Sequence, residues 1–118
     1  MRVICFGDSL TSCGSEDGRY SDVLQSRFPD HEIINKGVGG ETFVDAKERL
    51  QEDVLDLKPD VVIVEFGAND WWQDERPYTA WAQDLEDVVL ACQGIGAKVM
   101  VLGVFWPYRN GAGELVEK

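Results

Sequence analysis

Val61-Val62-Ile63-Val64-Glu65-Phe66, followed by Gly67-Ala68-Asn69-Asp70, is the stretch on which the fold turns. Four β-branched residues in a row, closed by a glycine, read as the clearest strand in the chain. Upstream of it, Thr42 can cap a helix whose apolar stripe is Phe43, Ala46, Leu50, Val54 and Leu57, with Pro59 beyond its end. Asp45 and Arg49 stand four apart on what should be its exposed face. Further back lie a weaker strand, Glu32-Ile33-Ile34-Asn35, and a helical stripe, Tyr20, Val23, Leu24 and Phe28, stopped by Pro29. The first run, Val3-Ile4-Cys5-Phe6, is closed by Gly7 and reads as a buried strand. Downstream, a helix from about Thr79 shows Trp81, Leu85, Val88, Val89 and Cys92 before the Gly94–Gly96 stop. Val99-Met100-Val101-Leu102-Gly103-Val104-Phe105 reads as the fourth strand, and after Pro107 residues 108–118 show no clear element.

Strand and helix therefore alternate throughout. Strands joined by helical crossovers are parallel, and right-handed crossovers put helices on both faces of the sheet. The expectation is a single α/β domain over residues 1–118: a three-layer α/β/α sandwich with a parallel sheet in the flavodoxin-like order. It ends just after strand four with no helix following, as a truncated domain would. The apolar edge strand left open there predicts self-association.

Apolar residues make up 44% of the chain, enough for a packed core, so disorder is not expected. Twenty-two acidic residues against eleven basic ones give a net charge of −11, which argues against nucleic acid and anionic lipid as partners. Cys5, Cys13 and Cys92 have no disulfide-frame spacing and read as thiols of a reducing compartment. No stretch has the length of a signal peptide's apolar region or of a membrane span. A soluble cytoplasmic protein without membrane insertion is the expectation.

In an open parallel sheet, ligands bind beyond the carboxyl ends of the strands, where the strand order reverses. Strand one ends in Gly7-Asp8-Ser9-Leu10, strand two in Asn35-Lys36-Gly37-Val38-Gly39-Gly40-Glu41-Thr42, and strand three in Gly67-Ala68-Asn69-Asp70. All three belong on one rim. The chemistry they suit is acyl transfer. A serine hydroxyl needs a base to take its proton, and the tetrahedral intermediate needs fixed donors aimed at its oxyanion. Ser9 offers a hydroxyl and its own N–H, the glycine-rich turn offers closely approaching N–H groups, and Asn69 offers an uncharged amide.

With these residues the chain resembles the N-terminal part of the GDSL/SGNH hydrolase family. Gly7-Asp8-Ser9-Leu10 matches the family's first block, Gly37-Val38-Gly39-Gly40-Glu41-Thr42 its second and Gly67-Ala68-Asn69-Asp70 its third. The resemblance implies hydrolysis of small-molecule carboxylic esters through an acyl-serine on Ser9. The Ser9 and Gly40 backbone amides and the Asn69 side chain would form the oxyanion hole. Asp8 and Asp70 would support the loops. No metal or organic cofactor is implied: the rim carries no ligand-spaced set of His, Cys and carboxylates, and the glycine-rich turn lacks the Lys-Ser/Thr of a phosphate loop.

The family's fourth block, an Asp-x-x-His, does not occur in these 118 residues, and the only histidine is His31. At about 3.3 Å per residue it lies roughly 15 Å from the rim, at the other end of strand two. The carboxylates of Asp8, Glu41 and Asp70 are poor bases for a serine at neutral pH. Three explanations stay open: a fragment of a longer hydrolase, a partner chain supplying the Asp–His pair, or a non-catalytic relative that binds acylated or glycan ligands. Trp71, Trp72 and Trp106 at the rim suit an acyl or sugar-ring pocket, or simple packing. Glu65 reads as a paired structural carboxylate, Cys13 as an ordinary thiol, and Trp81 as core.

Overall fold

The four apolar runs form four parallel strands: β1 (Arg2–Gly7), β2 (Glu32–Gly37), β3 (Val61–Glu65) and β4 (Lys98–Val101). They are seen in a computed structural model that describes residues 1–14, 18–72 and 77–103. The sheet order is β2-β1-β3-β4, the flavodoxin-like order expected. Register decides where the strands end. Gly7 of β1 lies opposite Gly37 of β2 and Glu65 of β3, so three connections leave the sheet at one level. The chain moves outward from β1 to β2 and then returns to place β3 on the other side of β1. The crevice at that reversal is flanked by the loops after β1 and β3.

Between the strands lie α1 (Ser9–Ser12), α2 (Tyr20–Arg27), α3 (Phe43–Asp53), α4 (Ala68–Trp72) and α5 (Tyr78–Gly94). Side chains alternate across a strand, and β1 shows the consequence. Ile4 and Phe6 point to the face covered by α3 and α5, where they join Phe43, Val64, Val88 and Cys92 in the main core. Phe66 packs edge-on to Phe6 and tilted against Phe43, at 5.1 and 5.0 Å between ring centroids. Full burial of each such ring stabilises the fold by roughly 2–3 kcal/mol. Trp81 lies half-buried against this cluster, as the α5 stripe requires.

The opposite face is covered less completely. Tyr20 and Leu24 of α2 meet Ile63, Met100 and Leu102 around an apolar hollow of about 580 Å³. Met100 and Val101, on the last strand, are exposed. Among the described residues, no helix is long and apolar enough to cross a membrane.

The elements depart from the sequence reading in four places. The single turns α1 and α4 are too short to show a period in the sequence. The long stripe from Phe43 to Leu57 is not one helix: α3 ends at Asp53, and Leu55–Leu57 form a 3-10 turn. Pro59 disfavours helical backbone at the residue before it, and Lys58 takes a left-handed conformation with φ 51°. Leu55 and Leu57 still reach the core, which is why the stripe continued in the sequence. β2 extends two residues further than expected, to Gly37, because β1 pairs with it to its end. β4 is regular only to Val101; Leu102 adds one ladder bond, N–H to the Val64 carbonyl at 2.9 Å. The rest of the expected fourth strand, Val104 and Phe105, lies outside the described residues.

Candidate active site

The turn that presents Ser9 is built by its neighbours. The Asp8 carboxylate caps α1, accepting the Leu10 N–H at 3.0 Å, and the Asp8 carbonyl accepts from the Thr11 and Ser12 N–H groups. Ser9 is thus the first residue of a single helical turn, half-buried, with a buried aspartate beneath it. N–H groups of a first turn have no intrahelical acceptor, and the Ser9 N–H is one of them. Gly7 is required by close approach. A Cβ there would lie 2.1 Å from Thr11 Oγ1 and 2.8 Å from the Glu65 carbonyl oxygen.

The second block folds over this turn. The Val38 N–H donates to the Gly7 carbonyl at 3.0 Å. A Cβ built on Gly39 would stand 3.8 Å from Ser9 Cβ, so this turn lies beside the serine. Gly40 has φ +80°, where an L side chain is strained. Thr42 opens α3, its N–H and hydroxyl donating to Asp45 Oδ2 at 3.1 and 3.3 Å.

The third block closes the rim. Asn69, on α4, donates from Nδ2 to the Glu41 carbonyl at 3.0 Å and to Asp8 Oδ2 at 3.4 Å. One amide therefore touches both of the other blocks. Asp70 is buried and accepts the Phe43 N–H at 3.2 and 3.3 Å, tying α4 to the start of α3. Trp71 is half-buried on α4. The side chain of Trp72 and the whole of Trp106 lie outside the described residues.

Two residues given no role in the sequence reading organise the rim. Asn35 Oδ1 accepts the Gly37 N–H at 2.9 Å, while its Nδ2 donates to the Thr11 carbonyl and to Ser21 Oγ at 2.7 and 2.8 Å. It stitches the end of β2 to α1 and α2. Arg49 was expected on an exposed face with Asp45; Asp45 is exposed there, but the expectation is corrected for Arg49. Asp45 turns back to Thr42, while Arg49 is only 15% exposed. Its guanidinium lies 4.7 Å over the Phe6 ring and donates to Glu41 Oε2, Asp53 Oδ2 and the Gly7 carbonyl at 2.7, 3.1 and 3.2 Å. An arginine in a helical stripe's flank looks solvated in sequence; only the Glu41 just before the helix hinted at a partner.

Glu65 ends β3 beneath the turn that carries Ser9 and is 4% exposed. Its Oε1 accepts from Thr11 Oγ1 at 2.9 Å and from the Asp8 N–H at 3.3 Å. Burial, and then contact with Asp8, pushes its carboxyl up to about 8. Thr11 Oγ1 also shares a hydrogen bond with the Tyr20 hydroxyl at 3.0 Å. Burial pushes the Tyr20 phenol upward and the Cys5 thiol up to about 11. Cys13 is exposed at the end of α1. His31 lies at the opposite end of β2, its Nδ1 2.9 Å from the N-terminal amine. It does not reach the rim.

The chain is similar in sequence and fold to known proteins. The chain is 33% identical over 89 residues to an acetylxylan esterase of Geobacillus stearothermophilus, an alignment covering 61% of this chain and 41% of that protein. It is 28% identical over 115 residues to the esterase TesA of Pseudomonas aeruginosa, covering 92% and 57%. The chain thus spans about half the length of these relatives. Among solved structures, one of TesA superposes with a TM-score of 0.82 at 25% identity, covering 91% of this chain and 62% of that one. An acetyl xylan esterase superposes with a TM-score of 0.77 at 29% identity, covering 86% and 57%. Residues 5–117 match the family model described as the GDSL-like lipase/acylhydrolase family. With that match running through all three strand-end blocks, the chain belongs to the GDSL-like lipase/acylhydrolase family.

Proposed function

We propose that this protein is a serine ester hydrolase in which Ser9 carries the acyl group. The observation that carries the reading is the Asn69 amide, held at once by Asp8 of the first block and Glu41 of the second. Three strand ends separated by up to 61 residues of sequence converge there on the serine's turn. Ser9 Oγ attacks the acyl carbon, and the carbonyl π pair moves onto oxygen. That oxyanion is met by the Ser9 N–H, the Gly40 N–H and the Asn69 Nδ2, which exchanges its long 3.4 Å bond to Asp8 for the oxyanion. The bond to the alcohol then breaks, the alcohol leaves with a proton, and water repeats the attack to release the acid. Relatives that are esterases support small esters as substrates, O-acetylated sugars among them.

The serine proton needs an acceptor. Asp8 is committed to Leu10 and Asn69, Asp70 to Phe43, and Glu41 to Arg49, while the sole histidine lies at the other end of the sheet. We therefore propose that the 118 residues alone are a weak esterase, on the order of 10⁶ slower than a complete triad. A base from other polypeptide would complete the site. The placement of His31 also favours a second reading, in which this scaffold binds acylated or glycan ligands without cleaving them.

Hydrolysis of a short-chain nitrophenyl ester, beside Ser9→Ala, separates these readings. Turnover abolished by Ser9→Ala supports the esterase, and a rate per chain that rises with protein concentration assigns the base to a partner. A parent no faster than Ser9→Ala, with acylated-sugar binding intact in both, selects the binding reading.

A further inference from the structure

We propose that Glu65 is a positioning residue held as a neutral carboxylic acid, which donates its proton to the Asp8 carboxylate and so fixes the turn that presents Ser9. Glu65 was expected to be a paired structural carboxylate, and a cation would be its ordinary partner. None of the ion pairs among the described residues includes it. Its Oε1 is saturated by Thr11 Oγ1 and the Asp8 N–H. Its Oε2 is fully buried with no donor aimed at it, the condition of an oxygen that itself carries the hydrogen. The neighbouring acceptor is the side chain of Asp8, in hydrogen-bonding contact with Glu65.

Asp8 has its own tasks, capping Leu10 through Oδ1 and holding Asn69 through Oδ2. Two ionised carboxylates in contact at 0% and 4% exposure would repel with little water to screen them. A proton on Glu65 converts that repulsion into a hydrogen bond. The absent Cβ of Gly7 is what lets the acid come so close, since that position lies 2.8 Å from Glu65 Oε1.

Among the described residues the surroundings offer no cation to displace the proton. From β1 the facing titratable group is Cys5, whose thiol burial keeps neutral. From α2 it is Tyr20, whose phenol is likewise shifted upward by burial. From α1 it is the Thr11 hydroxyl, which does not titrate in this range. From α4, Asn69 is uncharged and Asp70 is turned to the Phe43 N–H. Arg49 reaches the Gly7 carbonyl from α3 but pairs with Glu41 and Asp53.

The linkage has a definite sign. Glu65 loses its proton near 4.5 when unfolded and near 8 when folded. Between those values folding takes up a proton, so stability falls as pH rises and levels off above the folded value. One such proton lowers the folding equilibrium constant by about tenfold per pH unit. Glu65→Gln cannot ionise, keeps an acceptor for Thr11 and offers an N–H₂ to Asp8. It should remove that slope and unfold at a higher temperature than the parent at pH 9.

The test is a carboxyl-carbon NMR titration of the parent, with denaturation of parent and Glu65→Gln from pH 5 to 9. The Leu10 and Asn69 amide resonances report on the turn. The expected result is a Glu65 carboxyl that titrates well above pH 6, with the two amides moving at the same pH, and neither slope nor shift in Glu65→Gln. A Glu65 resonance already ionised at pH 6 overturns the proposal even if the variant fails to fold. So does a titration that leaves both amides still. The positioning role rests on Ser9 as nucleophile, but the readouts need no turnover. Failure of the esterase assay leaves this result standing, and failure here leaves the assay's result standing.

Discussion

Ser9 depends on what the residues around it lack as much as on what they carry. Gly7 is the sharpest case, since a methyl group there would collide with Thr11 Oγ1 and with the Glu65 backbone, which cannot swing away. Gly7→Ala should therefore destabilise the protein by about 3 kcal/mol, the upper end of ordinary overpacking. Gly94, at the end of α5, has nothing within 4 Å of the same construction. Gly94→Ala should be neutral or stabilising by about 0.5 kcal/mol. Urea denaturation of the two variants checks this, and equal midpoints would refute the steric account. At this scale the sequence was informative about types and silent about partners. Asp8, Ser9, Asn69 and Asp70 could be picked out because each stands just past an apolar run, and Gly40 only through the family resemblance. Asn35 could not, because its hydrogen bonds go to Thr11 and Ser21, which only the folded chain brings near.

At the scale of elements, the helix after the second block does more than cover the sheet. α3 carries Arg49, whose guanidinium links the end of β1 to Glu41 while lying over Phe6. Arg49→Lys keeps the charge but cannot reproduce the planar fork, and should cost about 1–2 kcal/mol. Arg49→Ala strands the Glu41 and Asp53 carboxylates as well and should cost about 3 kcal/mol. The check is again urea denaturation; a loss below about 0.5 kcal/mol for Arg49→Ala would reduce the contact to an ordinary surface pair. The strands and long helices were legible because burial imposes a period on them. The single turns α1 and α4 were not, although they hold Ser9 and Asn69, because four or five residues cannot display a repeat. The break at Val54 was hidden for the opposite reason: Leu55 and Leu57 stay apolar whether or not the helix continues.

At the scale of the whole molecule, the described residues cover the two faces of the sheet unequally. One face is closed by α3 and α5 around the aromatic cluster, while the other leaves the hollow beside Ile63 and Met100, next to exposed Met100 and Val101 at the β4 edge. We propose that copies of the chain associate there. Light scattering should show a mass per particle that rises with concentration, and Met100→Lys should return it to the monomer. A monomer at all concentrations would refute this. The sheet's order carries a further consequence, for how the molecule comes into being. β1 precedes the other described strands along the chain and, like β3, has a partner on each side. The stretch from β1 to β2 already holds β1, α2 and β2, with Asn35 able to knit them to the serine's turn, but so short a unit has too little core to persist. Permanence arrives with β3, which brings Glu65 under that turn and, just behind it, the Asn69 amide. The turn that carries Ser9 is thus laid down before the strand that locks it, in the order of synthesis.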